Sequence, residues 1–467
     1  MIALSLEEIA SVVGGTVEPE RSADVVVSAP AAVDSRRVHA GGLFVAVAGE
    51  HVDGHDYVGS ALAGGAVATL ASRAVPGPHV LVEDVVAALG RLARAVLDRL
   101  VAARDLQVVA LTGSSGKTST KDLLAQVLSG AGPTVAPEGS FNNELGVPLT
   151  VLAADERTRH LVVEMGARGG GHISDLTRIA PPRIGLVLNV GSAHAGEFGS
   201  RQDTARAKAE LVQALPAADA GGVAVLNADD PLVAAMAQVT GARVVTFGTA
   251  GDVRALGADL DDRGRARFTL VTPEGDAPVR LRVHGRHHLA NALAAAAVAR
   301  ELGMALADVA AGLSAAERVS HGRMEVVERA DGSIVVDDAY NANPESMRAA
   351  LEALQALARG RRSWAVLGEM RELGAASADE HVAVGRLARR LGVDRLVVVG
   401  DAARGIHTGA VAEGAVDGEE SVLVPAAEDA LVLLRAALGP GDVVLVKASR
   451  AAALERVATG LLEQVAT

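Results

Sequence analysis

The sequence predicts an α/β protein of three domains: a small N-terminal α/β module, a central domain with a parallel sheet, and a C-terminal Rossmann-like domain. Three observations carry this reading. The chain has 467 residues, about three times a usual domain length of ~150. Aromatic residues are only 2% of an otherwise apolar-rich chain, so the cores are built from Ala, Val and Leu. Two separate series of short β-branched runs alternate with helical patterns, the signature of βαβ units.

Residues 1–103 open on the helical pattern LSLEEIASVVGG and pass through the turn-rich AAVDSRRVHAGGLFVAVAGEHVDGHDYV. They close on DVVAALGRLARAVLDRLVAA, whose apolar residues recur at helical spacing. In residues 104–322 the runs QVVALT, HLVVEM, RIGLVLNV, GVAVLN and ARVVTFG are separated by helical stretches. Such near-continuous apolar strands predict a sheet buried on both faces. The stretch DVRALGADLDDRGRARFTLVTPEGDAPVRLRV alternates with turn signals and predicts antiparallel hairpins, followed by an Ala-rich helix from His288 to Leu302. Residues 323–467 begin a second series, with SIVVDD, RSWAVLGEM, DRLVVVG and DVVLVKASR as strands between helical segments.

Composition excludes several functions. The net charge is −13, from 44 basic and 57 acidic residues with no basic block, which argues against nucleic-acid binding. The absence of cysteine removes disulfides, thiolate metal sites and a cysteine nucleophile. Glu7 and Glu8 stand where a signal peptide would be basic and then apolar, and no apolar run reaches ~18 residues. A cytoplasmic protein without membrane insertion is expected. Of the 44 basic residues only four are lysines, at 117, 121, 208 and 447. A chain so biased toward Arg keeps Lys where a compact ammonium or a deprotonatable amine is needed.

The strand QVVALT runs through TGSSGKTST into a helix, the order of a phosphate-binding loop, although only Ser114 and Ser115 separate Gly113 from Gly116. The glycines let the backbone wrap an anion, Lys117 supplies a mobile charge, and Thr118 offers a hydroxyl to Mg²⁺. Glu164 ends HLVVEM and His194 follows RIGLVLNV. In an open parallel sheet ligands collect at the carboxyl ends of strands, so Thr118, Glu164 and His194 are expected to converge. Lys208, inside TARAKAELVQAL, has two readings: a solvated helix residue paired with Asp203 or Glu210, or an amine that loses its proton and reacts.

With these residues assembled, the chain resembles the Mur ligases, ATP-dependent amide-forming enzymes of peptidoglycan precursor synthesis. The resemblance spans TGSSGKTSTKD, EGSFNNELGVPLTVL, GRHHLANALAAAA, VVDDAYNANPESMRAAL, LGEMRELG and VLVKASR. It implies that Gly113, Ser114, Ser115, Gly116, Lys117 and Thr118 hold the ATP phosphates, that His287 and Asn291 lie near the adenine, and that Asp338 reaches the nucleotide. It implies two Mg²⁺ ions served by Thr118, Glu164, His194 and Lys208, the last carbamylated by CO₂, and places Arg323 at the phosphates on domain closure. Ser35 and Arg36 would contact a uridine nucleotide. Tyr340, Asn341, Asn343, Lys447, Ser449 and Arg450 would select the amine. The implied partners are a UDP-N-acetylmuramoyl-tripeptide and D-alanyl-D-alanine, joined by a monomer whose domains bind the UDP-muramoyl peptide (1–103), ATP (104–322) and the amine (323–467). Two positions depart from the family pattern: His288 replaces an Asn, and Arg168-Gly169 replaces Asn-His. A ligase adding the third residue to the muramoyl dipeptide, or a P-loop regulatory ATPase, would share the phosphate loop.

Overall fold

The computed structural model describes residues 1–49, 52–103, 106–191 and 198–463. The first helix, Leu6–Val13, is fixed by a capping box. Ser5 Oγ accepts from the Glu8 N–H while the Glu8 carboxylate accepts from the Ser5 N–H, and Gly14 at φ 66° ends the helix. The N-terminal module holds a four-stranded sheet in the order Thr16–Glu18, His79–Leu81, Ala66–Ala71, Gly42–Val45. Its first pair is antiparallel and the rest are parallel. The helix Val85–Ala103 follows, with Leu89, Leu92, Ala93, Val96 and Leu97 on its buried face.

The central sheet has six parallel strands in the order Arg243–Phe247, Val223–Asn227, Ile184–Val187, Gln107–Thr112, His160–Glu164, Thr134–Val135. The chain fills one side of Gln107–Thr112 and then crosses to the other, so this strand lies at the point where the strand order reverses, the place that forms a crevice at the carboxyl ends. Its two faces enter different cores. Val108 and Ala110 join Leu161, Val163 and the N-terminal module, including Leu6, Leu43 and Leu92, in one continuous cluster. Val109 and Leu111 pack with Leu124, Val127 and the Ala-rich helix His288–Glu301. The predicted hairpins form a three-stranded antiparallel sheet, Arg254–Leu260, Arg265–Thr272 and Gly275–His284, which contributes Phe268 and Leu270 to this second core.

The C-terminal sheet runs Glu325–Glu328, Ile334–Asp337, Val443–Lys447, Ser363–Leu367, Arg395–Val399, Ser421–Val424, with only the first pair antiparallel. Successive residues alternate faces as the pleat requires: Val336 and Leu445 enter one cluster, Val335 and Val444 the other. Both clusters draw only on residues from 324 onward.

Candidate active site

The phosphate loop takes its shape from Gly116. It has φ 79°, and a Cβ there would stand 2.7 Å from Asn291 Oδ1, so both the backbone and the neighbouring Ala-rich helix require glycine. Lys117 opens the helix Lys117–Ser129, with its ammonium on the Gly113 carbonyl at 2.6 Å. The Ser114 and Ser115 N–H groups donate to Asn189 Oδ1 at 3.0 and 2.9 Å, and Ser114 Oγ accepts from the Gly191 N–H. Asn189 escapes sequence reasoning, although a polar residue just past an apolar strand is a signal that could have found it.

Thr118 and Glu164 meet as the parallel register predicts. The Thr118 hydroxyl donates to Glu164 Oε2 at 3.0 Å, and Asn142 Nδ2 donates to Glu164 Oε1 at 2.8 Å. Ser140 Oγ lies 3.0 Å from Thr118 Oγ1 and accepts from Arg323 Nη2 at 2.8 Å. A carboxylate only accepts and a hydroxyl has one proton. The hydrogen bonds therefore run one way, from Arg323 to Ser140 to Thr118 to Glu164. Ser140 and Asn142, both in the segment EGSFNNELG, are further residues that single-residue reasoning passed over.

Lys208 is 2% exposed in the helix Arg201–Gln213. The solvated reading fails. Glu210 accepts instead from the Gly171 and Ser174 N–H groups, and Asp203 pairs with Ser200 and Arg206. Burial, with the Lys117 charge adding to it, drives the Lys208 amine well below the usual lysine range, so the neutral form is favoured. Burial also lowers Lys117, against the pull of Glu164. His194 lies outside the described residues.

These groups open on a cleft of about 1090 Å³ walled by the central and C-terminal domains and by Val33 of the N-terminal module. His287, His288 and Asn291 line it at the start of the Ala-rich helix, with His287 and His288 ring centroids 4.2 Å apart. Burial holds His287 neutral, its pKa lowered to about 4, and burial, with the His287 and His284 charges adding to it, lowers His288 well below the usual imidazole range. Asn291 Nδ2 lies 3.4 Å from His288 Nδ1, so the histidine that departs from the expected pattern is joined to Asn291. Arg168 also lines the cleft.

On the opposite wall all six amine-site candidates line the cleft, and three of them are also tied into the fold. The guanidiniums of Arg323 and Arg450 stand over the Tyr340 ring, 4.4 and 5.4 Å from its centroid, and Tyr340 with Asn341 lines the cleft. Lys447, 2% exposed, is a strut: it donates to Asp338 Oδ2 at 2.6 Å and the Asn341 carbonyl at 2.9 Å. Asn343 caps the helix Pro344–Ala358 through the Ser346 N–H, and Ser449 Oγ accepts from the Arg371 N–H. Ser35 and Arg36 lie in a short 3₁₀ turn outside the cleft walls, with Arg36 held by Asp34 at 2.7 Å.

Among the described residues no three His, Cys, Asp or Glu side chains gather as a metal cage. The donors present suit Mg²⁺ nonetheless: a buried carboxylate and a hydroxyl beside a phosphate loop match an ion that takes one or two carboxylates, substrate phosphates and several waters.

A phosphate loop at the strand-order reversal of a parallel sheet, facing a second α/β domain across a deep cleft, defines a nucleotide-dependent enzyme whose domains enclose the reactants. Three family models match in register with this architecture: Mur ligase family, catalytic domain, over residues 32–97; Mur ligase middle domain over 111–299; and Mur ligase, glutamate ligase domain, over 322–450. The chain belongs to the Mur ligase family. It is 51% identical to the UDP-N-acetylmuramoyl-tripeptide--D-alanyl-D-alanine ligase of Mycobacterium bovis, covering 99% of this chain and 98% of that one. Among solved structures it resembles MurF from Acinetobacter baumannii (TM-score 0.85, 32% identity, 99% of both chains). It also resembles the MurF ligase from Thermotoga maritima in complex with ADP (TM-score 0.77, 32% identity, 94% and 99%).

Proposed function

We propose that this chain joins D-alanyl-D-alanine to UDP-N-acetylmuramoyl-tripeptide at the expense of ATP, in peptidoglycan precursor synthesis. The substrates follow from its likeness, along 99% of its length, to the ligase of Mycobacterium bovis. The observation that carries the chemistry is the meeting of Thr118, Glu164 and Arg323 through Ser140 beside Lys117.

A carboxylate is a poor electrophile. Transfer of the γ-phosphoryl group of ATP to the tripeptide carboxylate gives an acyl phosphate; the dipeptide amine then attacks the carbonyl, and the tetrahedral intermediate expels phosphate to leave the amide. Such a transfer needs mainly positioning and charge neutralisation. Lys117 and the loop amides receive the phosphates, Arg323 approaches them from the domain junction, and Tyr340 holds that guanidinium on its ring face. Thr118 and Glu164 would hold a first Mg²⁺ and His194 would join a second, and such ions would supply further charge neutralisation when bound. A carbamate on Lys208 would present two oxygens to a second ion, and a neutral buried amine is the form that CO₂ can modify. His287, Asn291 and Asp338 serve the nucleotide. Residues 1–103 bind the UDP-muramoyl peptide, 104–322 the ATP and 323–467 the amine.

The test is phosphate release with UDP-N-acetylmuramoyl-tripeptide and ATP, with D-alanyl-D-alanine compared against single amino acids. Release that depends on both acid and dipeptide is expected. Release without an amine would move the chain to a regulatory ATPase, and preference for a single amino acid on the muramoyl dipeptide would move it to the preceding ligation.

A further inference from the structure

Three of the four lysines, 117, 208 and 447, line the cleft, and Lys121 does not. It sits one turn into the helix Lys117–Ser129 and is 2% exposed. Its ammonium donates to the Pro137 carbonyl at 2.7 Å and to Asp122 Oδ1 at 2.5 Å. The other oxygen of Asp122 accepts from the Ser320 N–H at 3.2 Å. Pro137 lies three residues before Ser140, and Ser320 three residues before Arg323. Ser140 and Arg323 are the pair that meet at 2.8 Å beside Thr118. One buried ion pair thus holds both segments at equal distances upstream of the contact they make.

We propose that Lys121, acting through Asp122, is a positioning residue that sets the Arg323–Ser140 contact and so delivers the Arg323 guanidinium to the phosphate end of the cleft. This rests on the reading of Arg323 as the phosphate-side arginine. Stability alone is a weak reason for such a pair, because apolar residues of similar volume commonly replace buried ions without loss. The choice of lysine fits the site. Two acceptors suit a compact ammonium, whereas an arginine would bring five N–H groups in a fixed plane and leave several unmet. That accounts for a lysine kept here by a chain that otherwise uses arginine.

The test is a double-mutant cycle on the full-length enzyme, with folding checked by circular dichroism. Lys121→Met keeps the length of the side chain and removes its donors. It is expected to lower kcat at least tenfold while changing the KM for ATP less than threefold, since Lys117 and Thr118 are untouched. Arg323→Lys alone is expected to lower kcat strongly, but less than twofold further in the Lys121→Met background, because the guanidinium is already undelivered. Effects that multiply independently overturn the positioning role. Wild-type kcat in Arg323→Lys alone overturns the reading of Arg323 instead. Should Lys121→Met fail to fold, the same cycle with Asp122→Asn, which keeps the shape and cancels the charge, decides between the same outcomes.

Discussion

Lys208 shows how a residue's surroundings choose between two readings of one side chain. Its neighbours Asp203 and Glu210 are engaged elsewhere, and burial favours the uncharged amine. Lys208→Arg keeps a positive charge but cannot form a carbamate, so it is expected to lose turnover as fully as Lys208→Ala. Short carboxylates are expected to restore part of the activity to the alanine variant only, and full activity in the arginine variant would remove Lys208 from the chemistry. Lys117→Ala is expected to abolish phosphate release with the thermal midpoint nearly unchanged; near-normal turnover would move the phosphate site. Buried histidines add a pH dependence to stability. Burial lowers His287 and His284 to about 4, against ~6.5 in an unfolded chain. The unfolded chain therefore binds protons first as pH falls, so stability present above ~6.5 is lost progressively down to about 4. The thermal midpoint is expected to drop between pH 7 and 5, with a shallower slope in His287→Gln, and a slope identical to that of the parent would remove His287 from the titration.

At the scale of elements, Asn343 connects a helix end to the loop before it. Its side chain accepts from the Ser346 N–H at 2.8 Å and Pro344 occupies the first helical turn. Asn343→Ala is expected to cost about 1 kcal/mol and to raise the KM for D-alanyl-D-alanine more than that for ATP, because Tyr340 and Asn341 sit in the loop this cap ends. Asn343→Asp is expected to restore the stability, and an unchanged midpoint in the alanine variant would show that the cap carries none. The apolar strands and the long helices were legible because buried parallel strands are apolar throughout and helices repeat every three to four residues. Thr134–Val135, two residues long, has no such pattern. Among pairings between distant segments, Thr118 with Glu164 was legible from the strand ends, but those of Lys447 and Asn189 were not. Lys447 reads from sequence as an open amine contact and becomes a strut only because Asp338, 109 residues away, lies at the end of the adjacent strand. Asn189 likewise gains its role from loop amides 74 and 75 residues away.

Over the whole molecule, the continuity of the cores determines which parts move together. The N-terminal module and one face of the central sheet share a single apolar cluster, so residues 1–103 and the central domain should unfold as a unit. The C-terminal domain has clusters of its own. The hydrogen bonds that tie it to the rest include Arg323 to Ser140, Arg318 to Glu325, and Arg359 to Asp262 and the Leu260 and Asp261 carbonyls. The Arg359 contacts are exposed and contribute little, and interfaces built mainly of polar contacts permit relative domain motion. Scanning calorimetry of the full chain is therefore expected to show two transitions, one for residues before the junction near 322 and one after it. A nucleotide held as proposed, by Lys117 and Asn291 on one side and Asp338 on the other, would bind only when both domains are folded, so saturating ATP analogue with Mg²⁺ is expected to raise both transitions and bring them together. Trypsin, cutting after Arg318 or Arg323, is expected to cleave the free enzyme faster than the complex. A single transition in the free enzyme, unchanged in shape by nucleotide, would show that the polar junction couples the domains as tightly as a shared core does.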